Sequence, residues 1–334
     1  MKARKLVTLL LSFVCTLYMS AQTKLSTLKT ERRPKIGLVL GGGGAKGAAE
    51  IGALRALEEE GLEFDYIAGT SIGSIIGALY SCGYRSSDLE ELFLSQSWLS
   101  LMTDRDEDYE KAFESEDGTI TAFGFPIFRA KKKKEVREKE LAEKGYEISG
   151  FGLNNGDSII QLFDSLVCCK DSINFDHLPI PFRCVATELR QQEPVVLSEG
   201  LLPVAMRASM AIPGVFKPVR IDDMVLVDGG MQNNLPVDVV RQMGAEYVIA
   251  IDLTQNKHKP RNISLKETLG IGGILDWAVS RPDWKAYDEN VKATDLYVNP
   301  PLDGYDVMDF QRDKITKMID IGYKATKAKL MQMR

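Results

Sequence analysis

The chain has 334 residues, 44% of them hydrophobic and 27% charged, and its 42 Lys and Arg against 47 Asp and Glu give a formal charge of −5. That acidic balance gives no reason to expect nucleic acid as a partner. Past residue 21 no apolar stretch approaches the roughly 18 residues of a membrane-crossing helix, so the folded part is expected to be soluble or peripheral.

Residues 1–21 have the layout of a secretory signal peptide: Lys2, Arg4 and Lys5, a mostly apolar run from Leu6 to Met19, then the small Ser20 and Ala21 before Gln22. Cys15 is preceded by Phe13 and Val14 rather than by small residues, which argues against a lipidated cysteine. The protein is expected to be exported, to the periplasm first, with secretion or outer-membrane association as alternatives. Removing the leader leaves 39 Lys and Arg against 47 Asp and Glu, a charge of −8. Residues 22–34 are polar, end at Pro34 and read as a linker. The remainder, 35–334, is the length of one large α/β domain.

Within it, short apolar runs alternate with longer amphipathic ones, the pattern of a mostly parallel sheet covered by helices. Ile36–Leu40 and Tyr66–Gly69 read as strands, each followed by a helix, Ala45–Glu60 and Ile72–Ser81, and Ser87–Leu94 as a third helix. Beyond Trp98 the pattern breaks down until Ser158–Val167, so residues 99–156 read as an inserted excursion. Phe182–Glu188, Val195–Leu197, Met224–Val227 and Tyr247–Ile251 are strands by their β-branched and aromatic content. Leu201–Ser209, Val237–Met243 and Lys314–Met331 are helices, and 255–293 shows no clear pattern. Cys82, Cys168, Cys169 and Cys184 show no CxxC spacing and include an adjacent pair, so buried free thiols are expected rather than a disulfide framework or a zinc site.

Gly41-Gly42-Gly43-Gly44-Ala45-Lys46-Gly47 directly follows a strand and opens a helix. Glycines there let backbone N–H groups converge at the positive end of the helix, which suits a phosphate or an oxyanion. A P-loop would need Lys after the last glycine and then Ser or Thr, whereas Lys46 precedes Gly47 and Ala48 follows. Gly42, Gly44 and Gly47 satisfy GxGxxG, but the acid expected at the end of a dinucleotide fold's second strand is replaced by Asp65 at its start. The oxyanion reading needs a nucleophile nearby.

Gly69-Thr70-Ser71-Ile72-Gly73 supplies one, as a GxSxG between strand and helix, the context in which a sharp turn exposes a serine hydroxyl. The hydroxyl needs a base. His177, in a turn, and His258, in a polar loop, have no suggestive neighbourhood. Val225-Leu226-Val227 instead delivers Asp228 into Gly229-Gly230. Local sequence leaves two roles for Asp228: base for Ser71, or a turn aspartate closing the strand.

The glycine loop Gly42–Gly47, the elbow Gly69–Gly73, Asp228-Gly229-Gly230 and the block from Arg207 to Pro218 together resemble the patatin-like phospholipase family, four motifs in order across residues 35–252. The resemblance implies a three-layer α/β/α fold with a mostly parallel central sheet, a Ser71–Asp228 dyad without histidine, and no metal or other cofactor. It assigns the oxyanion hole to the loop of Gly42, Gly43, Gly44, Lys46 and Gly47. The implied activity is hydrolysis of acyl esters in phospholipids or lysophospholipids through an acyl-enzyme. Glu50 departs from the pattern, since many bacterial relatives carry histidine there. Lys46 either adds positive potential near a phosphate headgroup or is a solvated residue of the first helical turn.

Ile120, Phe123, Phe125, Ile127 and Phe128, followed by Arg129 and Lys131–Lys134, combine aromatics with a basic cluster, as a peripheral membrane contact through 120–134 would require. Two other functions compete: an α/β-hydrolase esterase with a Ser71, Asp228, His258 triad, and a catalytically silent protein that binds an anion at the glycine loop.

Overall fold

The computed structural model describes residues 33–103, 139, 141–150, 152–255 and 284–333. Lys35–Arg334 form one compact unit. In chain order its elements are β1 (Ile36–Leu40), a 3-10 turn (Gly44–Gly47), α1 (Ala48–Glu59), β2 (Tyr66–Thr70), α2 (Ile72–Ser81), α3 (Ser86–Ser95) and α4 (Trp98–Thr103). Next come β3 (Tyr146–Ile148), β4 (Gly152–Asn154), α5 (Asp157–Leu166), β5 (Ile173–Asn174), a 3-10 turn (Phe175–His177), β6 (Phe182–Glu188), β7 (Glu193–Leu197) and β8 (Glu199–Gly200). The chain continues through α6 (Leu202–Ser209), β9 (Gly214–Phe216), β10 (Val219–Ile221), β11 (Met224–Asp228), a 3-10 turn (Gly229–Met231), α7 (Val237–Gln242), β12 (Tyr247–Ile251), α8 (Trp284–Lys292), β13 (Leu296–Val298) and α9 (Arg312–Gln332).

The main sheet has the order β13-β12-β1-β2-β6-β11-β10-β3, with β7 paired to β6. From β13 to β6 neighbouring strands are parallel, while β11 and β7 run against β6. Because side chains alternate along a strand, each central strand feeds two cores. Leu38, Leu40, Ile67, Ile249 and Ile251 point into one, shared with α1, α2, α6 and α9. Val39, Ala68, Val248 and Ala250 point into the other, under Val237, Val239, Val240 and Tyr287 of α7 and α8. The result is the three-layer α/β/α architecture expected. Burying both faces also explains why these strands read as unbroken apolar runs.

Three details differ from the sequence reading. The helix expected from Ala45 opens as a 3-10 turn, and the α-helix starts at Ala48, because the glycine loop holds the preceding backbone in other conformations. The excursion is narrower than 99–156: Trp98–Thr103 is helical, β3 pairs with β10 at the edge of the main sheet, and β4 pairs with β9. Strands of three residues are too short to show an alternating pattern. Finally, the expectation of buried thiols holds for Cys184 only; Cys82 and Cys169 are half-buried and Cys168 is exposed, since the adjacent pair lies just past the C-terminal end of α5. Residues 120–134 and His258 lie outside the described residues, as does 104–138 of the excursion.

Candidate active site

Ser71 sits between the last residue of β2 and the first of α2, with φ 54° and ψ −122°. A side-chain-bearing residue rarely takes a positive φ, and the strain persists only where the surroundings impose it. Here they do. The Ser71 N–H donates to Ser209 Oγ at 2.8 Å, and Ser209 Oγ in turn donates to the Val185 carbonyl of β6. On the other side the Ser71 carbonyl accepts from the Ser74 hydroxyl at 2.6 Å and the Ser74 N–H at 2.9 Å.

The turn also explains the flanking glycines. A Cβ on Gly69 would overlap the Gly73 carbonyl, and one on Gly73 would overlap the Leu40 carbonyl and lie 2.6 Å from that of Gly41. No rotamer change could relieve either clash, because the opposing atoms are backbone.

Asp228, the last residue of β11, meets Ser71 directly: Ser71 Oγ donates to Asp228 Oδ2 at 2.7 Å. Asp228 Oδ1 accepts the Gly230 N–H at 2.8 Å, so both carboxylate oxygens are engaged. Ser71 is 6% exposed and Asp228 2%. Burial pushes the Asp228 carboxyl up from its ordinary 3.8 to about 6, against the opposing pull of the Ser71 hydroxyl and the Gly230 N–H. Such a group is ionised at neutral pH yet a stronger base than an ordinary aspartate.

The glycine loop lies against this pair. A Cβ on Gly42 would be 3.1 Å from Ser71 Cβ and would overlap Asn234 Oδ1. Gly41 N–H donates to Ile251 O at 3.1 Å, Gly42 N–H to Asn234 O at 3.3 Å, and Ala45 N–H to Val307 O at 2.8 Å. Among the described residues, the N–H groups of Gly43 and Gly44 have no such partner. They are the donors available to an oxyanion. Gly42, expected in the same role, has its N–H occupied and instead provides close approach. Gly47 packs its Cα against Ile72, and Lys46 is half-buried in the 3-10 turn with its N–H directed to Gly43 O at 3.3 Å. Gly44 has a φ of +58° and faces the Val307 carbonyl, a position that excludes any side chain.

His177 is exposed in its 3-10 turn and makes no hydrogen bond to Ser71 or Asp228. Glu50 is fully buried in α1, and among the described residues neither carboxyl oxygen has a well-formed hydrogen bond, the Gly41 backbone lying near enough only for a weak one. Burial, reinforced by the Asp252 carboxylate and opposed by the Gly41 backbone, raises its pKa well above the usual carboxylate range.

Two supporting residues escaped the sequence reading. Ser209 falls inside the block from Arg207 to Pro218, but nothing local marks it as the acceptor for the Ser71 N–H. Asn234 donates from Nδ2 to Gly42 O at 3.2 Å and from its carbonyl holds Gly42 N–H, tying the glycine loop to the segment after Asp228. The polar pair Asn233-Asn234 before Leu235-Pro236 was its only available signal.

A three-layer α/β/α sheet carries a serine–aspartate pair beside a glycine loop, and among the described residues no histidine is hydrogen-bonded to either member, which defines an α/β protein with a paired serine and carboxylate. The chain belongs to the patatin-like phospholipase family, whose model matches residues 38–241. It is 30% identical over 318 residues to patatin-like phospholipase domain-containing protein 7 of Mus musculus, covering 86% of this chain and 20% of that protein. It is 27% identical over 321 residues to lysophospholipase nte1 of Aspergillus fumigatus, covering 90% of this chain and 18% of that one. The chain thus spans about a fifth of the length of these curated relatives. Among solved structures it is similar to VipD from Legionella pneumophila, with a TM-score of 0.46 at 16% identity over 90% of this chain and 67% of that chain.

Proposed function

We propose that the protein hydrolyses acyl esters of phospholipids or lysophospholipids through an acyl-enzyme on Ser71. The observation that carries this reading is the 2.7 Å hydrogen bond from Ser71 Oγ to Asp228 Oδ2, beside a glycine loop whose Gly43 and Gly44 N–H groups have no partner among the described residues. Ser71 Oγ attacks the ester carbonyl carbon while Asp228 Oδ2 takes its proton. The Gly43 and Gly44 N–H groups hold the negative oxygen. The protonated Asp228 then gives its proton to the departing alcohol oxygen as the tetrahedral centre collapses. Asp228, ionised again, activates a water that releases the fatty acid. An oxyanion donor is worth about 100- to 1,000-fold in rate, and general base catalysis about 100- to 10,000-fold, so the two together account for several orders of magnitude.

The test is hydrolysis of a panel of phospholipids and lysophospholipids by wild type, Ser71→Ala and Asp228→Asn, with fluorophosphonate labelling of the folded protein. Labelling at Ser71 and loss of activity in both variants are expected. Failure of the folded protein to label, with activity surviving Ser71→Ala, overturns the proposal.

Two further expectations accompany it. Export to the periplasm is supported by the basic, apolar and small-residue order of 1–21 and is checked by fractionation and N-terminal sequencing of the mature protein. Peripheral membrane contact through 120–134 rests on composition; replacing Lys131–Lys134 with Gln should weaken binding to anionic vesicles, and unchanged binding removes the idea.

A further inference from the structure

Three of the cysteines separated along the chain meet at one place. Cys82 caps the C-terminal end of α2, the helix that Ser71 caps at its N-terminal end, and Cys168-Cys169 follow the C-terminal end of α5. The Sγ atoms of Cys82 and Cys168 are 3.0 Å apart, across 86 residues of sequence. A second contact fixes the same two segments: the Tyr84 hydroxyl donates to the Leu166 carbonyl at 2.9 Å. Cys169 and Cys82 both pack against the main core, whereas Cys184 lies apart in β6 with its thiol on the Ala205 carbonyl at 3.2 Å.

We propose that Cys82 and Cys168 are a covalent modification site, joined as a disulfide that fastens the far end of the nucleophile helix to the segment after α5. A separation of 3.0 Å needs only a small approach of two side chains to reach bonding distance, and the Tyr84–Leu166 contact already holds the backbones in register.

The chemistry is thiol–disulfide exchange with a protein or small-molecule disulfide as oxidant. The exposed Cys168 is the point of entry. Its thiolate attacks one oxidant sulfur, forming a mixed disulfide and releasing one oxidant thiol. The Cys82 thiolate then attacks Cys168 Sγ in that mixed disulfide, forming the internal bond and releasing the second oxidant thiol. Two cysteine thiols are oxidised and one oxidant disulfide is reduced to two thiols, with the protons balanced between them.

Burial, and after it the neighbouring Cys168, push the Cys82 thiol up to about 12, so Cys82 is a poor first attacker. Once Cys168 is capped, its share of that effect disappears, and Cys82 stands within reach of the bond it must open. The order Cys168 first, Cys82 second follows from exposure and geometry together. The bond closes a loop of more than 80 residues, and the longer the closed loop, the more entropy a cross-link removes from the unfolded chain.

The full chain, incubated with oxidised glutathione and alkylated without reduction, tests the proposal by peptide mapping and thermal unfolding. A peptide pair linked through Cys82 and Cys168 is expected, with two fewer free thiols than after reduction. The unfolding midpoint should rise on the order of 5 °C on oxidation. Cys82→Ser and Cys168→Ser should each lose both the cross-link and the oxidation-dependent rise. The proposal is overturned if both thiols remain alkylatable after oxidation, if the link joins Cys169 to Cys168 or to Cys82 instead, or if the midpoint of Cys168→Ser rises as much as that of wild type.

Discussion

Replacing Asp228 with Asn should abolish hydrolysis and stabilise the fold, and the stabilisation should depend on pH in a way set by this one carboxyl. In the folded protein its pKa is raised to about 6 from an ordinary 3.8, chiefly by burial. The native state therefore holds the Asp228 proton more tightly than the unfolded chain does. Its contribution to stability is fully present below pH 3.8, declines as pH rises toward 6, and is flat above that. At ~1.4 kcal/mol for each tenfold change in proton affinity, ionised Asp228 costs about 3 kcal/mol at neutral pH. Asparagine carries no charge at any of these values. Its carbonyl oxygen can still accept the Gly230 N–H, and its amide can donate to Ser71 Oγ. Asp228→Asn should accordingly unfold at a temperature about 5 °C above wild type at pH 8, with the difference shrinking to near zero at pH 4. Glu50 titrates in both proteins and cancels from the difference. Denaturant or thermal unfolding of the pair from pH 4 to pH 8 measures it. In parallel, wild-type kcat/KM should rise with pH through about 6, as Asp228 becomes available as a base. A stability difference that does not grow between pH 4 and pH 7, or one that grows with the wild type the more stable partner, would refute the account of Asp228 as a buried, raised carboxylate.

Five other substitutions have defined outcomes. Gly73→Ala forces a Cβ into the Leu40 carbonyl, so expression of folded protein should fall sharply and any soluble fraction should be destabilised by at least about 1–3 kcal/mol in urea. Ser209→Ala removes the acceptor of the Ser71 N–H; stability should drop by about 1–3 kcal/mol and fluorophosphonate labelling of Ser71 should slow. Glu50→Gln should raise stability increasingly as pH climbs above 4.5, because the raised folded pKa of Glu50 makes its ionisation unfavourable to the native state; a variant less stable than wild type at pH 8 contradicts this. His258→Ala and His177→Ala should each keep kcat/KM within about twofold of wild type, since the dyad needs no imidazole, and near-complete loss in His258→Ala would establish the triad instead.

Much of the site could be read from residue order because its constraints are local. The glycines at 69 and 73 are demanded by backbone carbonyls a few residues away or on the adjoining strand, and those at 43 and 44 sit on one continuous loop. Strands β1, β2, β6 and β12 were legible because both their faces are buried, which produces unbroken apolar runs. What could not be read depends on contacts between distant segments. Ser209 holds the Ser71 N–H across 138 residues and Asn234 grips Gly42 across 192, with no periodicity to announce either. Strands β3, β9, β10 and β13 have three residues each and are specified by their partners, not by their own pattern. Asp228 lies between these cases: its strand was evident, but which atom it faces was not.

The meeting of Ser71 and Asp228 follows from the register of β6. Strand β2 runs parallel to β6 and pairs along its first half, ending with Thr70 opposite Val185. Strand β11 runs antiparallel and pairs along the second half, ending with Asp228 opposite Ala186. Because β7 pairs with Cys184–Glu188 on the other edge, β2 and β11 must share one edge and point their C-terminal ends at each other. The residues at those ends are Thr70, followed by Ser71, and Asp228, and they are set against adjacent residues of a single strand. Gly229 follows at the junction, where a Cβ would overlap the Val185 carbonyl. The same carbonyl receives the Ser209 hydroxyl that holds the Ser71 backbone. Val185 thus ties together the turn of Ser71, the strand of Asp228 and the helix that supports both, and a one-residue slip of β11 along β6 would carry Asp228 to the opposite face of the sheet. Switching from parallel to antiparallel pairing along one strand is therefore the step that brings two residues 157 positions apart to within a hydrogen bond.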